Sequence, residues 1–62
     1  MITLPLLETI ADSITETARD VVYLVEECNE GDIGPDEAKP RILDELKKLV
    51  HYCQQAIKQI EP

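Results

Sequence analysis

Glu30-Gly31-Asp32-Ile33-Gly34-Pro35 holds both glycines of the chain and divides its 62 residues into two halves of nearly equal length. A glycine just past a helical run can take the left-handed conformation that closes the last carbonyls, so Gly31 ends whatever precedes it. Pro35 suits the first position of a new helix, where its missing N–H is not needed, and Asp36 and Glu37 place acids at the positive end of the dipole. The stretch therefore reads as a fold-back point between two helices.

To its left, Leu7, Ile10, Ile14, Thr17, Val21, Leu24 and Cys28 follow one another in alternating steps of three and four, the a/d seam of a heptad pattern. This predicts a first helix over about 4–30, with Thr3 as N-cap and Pro5 in the first turn. To its right, Ile42, Leu46, Leu49, Cys53, Ala56 and Ile60 repeat the pattern and predict a second helix over about 35–60. Pro40 lies one turn into it, where a proline removes a backbone hydrogen bond, so a kink or a short separate turn is expected there.

If the chain folds back at Gly34 and Pro35, positions whose numbers add to 70 face each other: Leu24 meets Leu46, Val21 meets Leu49 and Thr17 meets Cys53. The expected fold is all-α, a single-domain antiparallel two-helix hairpin. In this register Cys28 and Cys53 lie about eleven residues apart along the axis, roughly 16 Å at 1.5 Å per residue, too far to bridge within one hairpin. Both are expected as thiols, and Cys53 as a small buried side chain beside the Thr17 hydroxyl.

A second apolar row remains unpartnered. Leu4, Ala11, Ala18 and Val25 on the first helix and Leu43, Val50 and Ile57 on the second flank the seam and face water in a lone hairpin. So small a chain needs a disulfide, a metal or association to hold it together. The row supplies the last of these and predicts a homodimer closing a four-helix bundle. The arrangement resembles the small plasmid RNA-regulating proteins built as homodimers of helical hairpins. Those proteins present basic residues to RNA, whereas here the corresponding arc is acidic.

Thirteen acids against six bases give a formal charge of −7, which argues against direct binding to nucleic acid or anionic lipid. The acids concentrate in the first half. Glu8, Asp12, Glu16 and Asp20 recur every fourth residue and are followed by Glu26, Glu27 and Glu30. Such a face keeps an associating protein soluble. It also suits a basic partner protein, because carboxylates ~6 Å apart along a helix mimic a phosphate backbone. Tyr23, set among these acids, is the candidate anchor. In size, charge and helicity the chain is similar to the compact phage- or plasmid-type inhibitors that occupy nucleic-acid-binding surfaces of other proteins. A structural subunit that offers its apolar row to a different chain is the alternative.

An enzyme is not expected, nor a metal or cofactor. The one histidine, His51, falls at the outermost heptad position of the second helix, and no nucleophile turn or glycine-rich phosphate loop occurs. Glu26-Glu27-Cys28-Asn29-Glu30 resembles the EExxE of the all-α nucleotide pyrophosphatases, and that resemblance implies magnesium at Glu26, Glu27 and Glu30. The second acidic pair of that family, ExxD on a following helix, is replaced by Asp44-Glu45. With no secretion signal and no apolar run of the ~18 residues a membrane span requires, a cytoplasmic location is expected.

Overall fold

The computed structural model describes residues 4–62, which form two helices, α1 (Pro5–Asn29) and α2 (Pro35–Ile60), packed against each other as a hairpin. Leu4 stands at the N-cap of α1; the expected cap Thr3 lies outside the described residues. The molecule measures 49 × 17 × 10 Å, one helix long, two helices wide and one helix deep.

The break is a Schellman turn. The Asp32 N–H donates to Glu27 O (2.9 Å) and the Gly31 N–H to Cys28 O (3.1 Å), which closes two of the carbonyls α1 leaves free. Gly31 adopts φ +86°, a conformation that a Cβ would strain. Extended Gly34 then caps α2 through its carbonyl, which accepts from Glu37 (3.1 Å) and Ala38 (2.9 Å). Of the kink or separate turn expected at Pro40, the separate turn does not form: α2 is one helix from Pro35 to Ile60 with Pro40 inside it. Pro40 is exposed, so the Asp36 carbonyl that loses its donor there can be hydrated, and the cost of the proline stays within the first two turns.

On α1 the seam is where the heptads put it. Ile10, Thr17 and Leu24 are buried and Leu7, Ile14, Val21 and Cys28 half-buried. The buried Thr17 hydroxyl donates back to Ser13 O at 2.8 Å, so no polar side-chain atom is stranded among the described residues. On α2 the seam is turned by one position. Ala38 is the most enclosed residue, 1% exposed, and from it the half-buried line runs through Ile42, Glu45, Leu49, Tyr52 and Ala56. Leu46 (41% exposed) and Ile60 (67%), expected in the seam, lie outside it, while Cys53 stays half-buried at its edge.

The physical reason lies at the loop. The tight entry through Ile33 and Gly34 presses the first turn of α2 onto the end of α1, and a side chain as small as Ala38 fits that approach. Heptad steps from Ala38 then reach Glu45 and Tyr52 rather than Leu46 and Cys53. Glu45 is tolerated because it sits at the margin and its Oε1 accepts from Lys48 Nζ at 3.1 Å. Asp44, four residues before Lys48, would be the usual helical partner, but Lys48 pairs with Glu45 at i,i+3.

Candidate functional site

The turn of α2 gives the hairpin two unlike broad faces. One is an open groove of about 510 Å³, lined by Asp20, Tyr23 and Leu24 from α1 and by Arg41, Asp44, Glu45 and Lys48 from α2. With α2 lettered from its observed seam, Ile42 and Leu49 at a and Ala38 and Glu45 at d, these are the g, c and d positions of both helices, so the e and b positions share the opposite face. That second face carries Leu4, Ala11, Ala18, Val22 and Val25 on α1 and Leu43, Leu46, Val50, Ile57 and Ile60 on α2. All of them are exposed except Ala18, which is half-buried against its own hairpin. Every residue of the expected association row is thus on this face, and Val22, Leu46 and Ile60 extend it. Periodicity alone missed Leu46 and Ile60 because it placed them in the seam.

The acids of α1 lie outward. Glu8, Asp12, Glu16, Asp20, Glu26 and Glu30 are exposed, and Glu27 is half-buried. Four-residue steps overshoot the 3.6-residue turn by about 40° each, so the first four do not form a straight row. They wind from Glu8, at the rim of the apolar face, through Asp12 and Glu16 on the outer arc, to Asp20 in the charged groove. Arg41 and Lys48 lie across that groove, so the acidity is strongest on the outer arc and partly balanced at Asp20.

Tyr23 is 63% exposed at the groove wall. Hydrogen bonding of its phenol to the Glu27 carboxylate, and then the charge of that carboxylate, raise the Tyr23 pKa above the ordinary phenol value. Asp32 adds to the effect and Arg41 opposes it. In a Tyr52→Phe background the phenolate absorbance of Tyr23 is therefore expected to rise at higher pH than that of free tyrosine. Glu27→Gln should bring the midpoint back down. A midpoint unmoved by Glu27→Gln would show that the carboxylate does not hold the ring. On Lys48, hydrogen bonding to Glu45 and the charge of that group raise the pKa in turn.

Other candidate chemistry does not converge. His51 is exposed, its ring 6.1 Å from that of Tyr52. Cys28 and Cys53 are free and half-buried. Among the described residues no three His, Cys, Asp or Glu side chains gather closely enough to hold a metal ion, Glu26, Glu27 and Glu30 included. No described helix is long and apolar enough to cross a membrane. The chain matches no protein-family model, and neither a curated protein nor a solved structure shows significant similarity to it.

Proposed function

We propose that the chain is a small, non-enzymatic regulatory protein that pairs with itself through its apolar face and docks on a basic protein through the acidic arc of α1. The observation that carries this reading is the division of the hairpin surface. One broad face is apolar along its length, while α1 carries six acids against Arg19, with Asp12, Glu16 and Glu26 on its outer arc. A core of Ile10, Leu24 and Ala38 is small against the ~1–2 kcal/mol that ordering each backbone residue costs, so the apolar face needs cover. A second hairpin laid on it makes a four-helix bundle and leaves the acids in water.

The docking partner is then a protein with a basic surface, such as one that binds nucleic acid. Carboxylates at helical spacing offer that surface the charge of a phosphate backbone without its sugar or bases. Regulation follows from occupancy, because a partner so covered is denied its own ligand. We place the protein in the cytoplasm, where Cys28 and Cys53 stay reduced.

Immobilised protein should retain the partner from a host lysate at low salt and release it at high salt. The variant with Glu8, Asp12, Glu16 and Asp20 all changed to Gln should lose most of that retention while keeping the hairpin's helicity. Undiminished retention by this variant would overturn the docking surface. An assembly subunit that offers the apolar face to a different chain is the second reading, supported by the same exposed face. It predicts an isolated protein that aggregates or unfolds instead of forming a defined dimer.

A further inference from the structure

Resting on the dimer reading, we infer that the occupant of the apolar face is a second copy oriented with its loop at the same end, so that α1 of one protomer lies against α2 of the other. The face is long enough for a stable pair: it runs from Leu4 to Val25 on α1 and from Leu43 to Ile60 on α2, along most of the 49 Å length of the molecule.

A two-fold pairing of the same face on both copies allows two orders. With the loops at opposite ends, α1 lies against α1 and α2 against α2. With the loops at the same end, α1 and α2 alternate around the bundle.

Side-chain size separates these orders. The middle of the α1 face is shallow, with Ala11 and Ala18, whereas α2 projects Leu43, Leu46, Val50, Ile57 and Ile60 along its length. Placing α2 on α2 sets large side chains against large and, with the molecules centred, leaves Ala18 facing Ala18 of the other chain across a gap. Placing α2 on α1 seats the large row over the small one, which close packing favours.

Charge separates them in the same direction. α1 has six acids and one base, α2 four acids and five bases. At the outer rim of the face α1 carries Asp12, Arg19 and Glu26. With the two molecules centred on each other, the opposite-end order sets Asp12 level with the partner's Glu26, twice, and Arg19 near the partner's Arg19. Like charges so placed oppose association. The same-end order puts α2 there instead, with Lys47 between Arg19 and Glu26 and the uncharged Gln54 near Asp12 and Glu16. The acid arcs then point to opposite sides of the bundle, each flanked by two less acidic helices, which presents two separate docking edges per dimer.

The test is a distance across the dimer. Spin labels on Asp32→Cys, in a Cys28→Ala, Cys53→Ala background shown by sedimentation to remain dimeric, should lie within about 30 Å of each other, two helix diameters plus the label arms. The opposite-end order predicts a separation close to the molecule's 49 Å length and would overturn this arrangement while leaving the dimer intact. Isotope-filtered NOEs on mixed labelled and unlabelled wild-type protein give the same decision without substitutions. Contacts from Ala18 to Val50 methyls of the other chain support the inference, and contacts from Ala18 to Ala18, or from Ala11 to Val25, of the other chain overturn it. Wild-type protein that sediments as a monomer would remove the dimer reading itself, and this inference with it.

Discussion

Val50→Glu is expected to dissociate the proposed dimer and, at low protein concentration, to take most of the helical signal with it. Val50 is 56% exposed in the hairpin and lies on the apolar face, away from the seam. In an isolated hairpin a glutamate there is an ordinary solvated side chain with better helix propensity than valine. In a two-fold dimer the same change buries two carboxylates, each costing several kcal/mol without a partner charge. The sign of the effect therefore reports directly on whether the face is covered. Sedimentation velocity and thermal melts at several concentrations read it, since association of the folded chain makes the melting midpoint depend on concentration. A Val50→Glu protein that melts like wild type and stays dimeric would show that the second copy sits elsewhere. Ala18 is a poorer probe, because it is half-buried against its own hairpin and a charge there would disturb both contacts.

Leu24→Ala is expected to cost about 2–5 kcal/mol, the range for emptying a packed leucine site. Leu24 is 5% exposed and is the largest side chain of the seam near the turn, level with the α2 residues that line the groove. Its loss opens a cavity where only two layers of side chain separate solvent from solvent. A protein of this size has little stability in reserve, so the variant should be largely unfolded where the wild type is folded. Urea unfolding of both proteins, with Leu6→Ala as comparison, measures the difference. Leu6 is 55% exposed and outside the seam, and its truncation should stay within about 0.5 kcal/mol. Equal losses for the two variants would mean that the seam does not hold the hairpin.

The helices, their turn and the α1 seam were legible because each rests on local chemistry. Gly31 follows the last heptad position of α1 and takes the positive φ that only glycine adopts at little cost. Pro35 and the acids after it begin α2 as N-terminal preferences require. The rotation of α2 was not legible. Its apolar residues occupy the a and d positions of the expected seam and the row of Leu43, Val50 and Ile57 beside them, a stripe wider than one neighbouring helix can cover, and several rotations bury a similar share of it. Choosing among them requires knowing how closely the chain re-enters at Ala38, which is a property of the loop's path. The candidate site divides in the same way. The acids of α1 are plain in the sequence, but the meeting of Asp20 and Tyr23 with Arg41 and Lys48 depends on which side of α2 is turned toward them.

The sequence by itself determined that this protein is two amphipathic helices joined at residues 30–35, with the acids gathered on the first and more apolar surface than one seam can hide. Those outcomes follow from residue spacing, from proline and glycine at defined positions, and from counts of charge, all of which act within a few turns of chain. Only the tertiary structure decided which apolar residues serve the hairpin and which are left over. Packing at Ala38 fixed the angle of α2 about its own axis, and that angle sent Leu46 and Ile60 outward to join Val50 and Ile57. A helix has one axis and many rotations of similar hydrophobic gain, so its partner and its loop must choose among them.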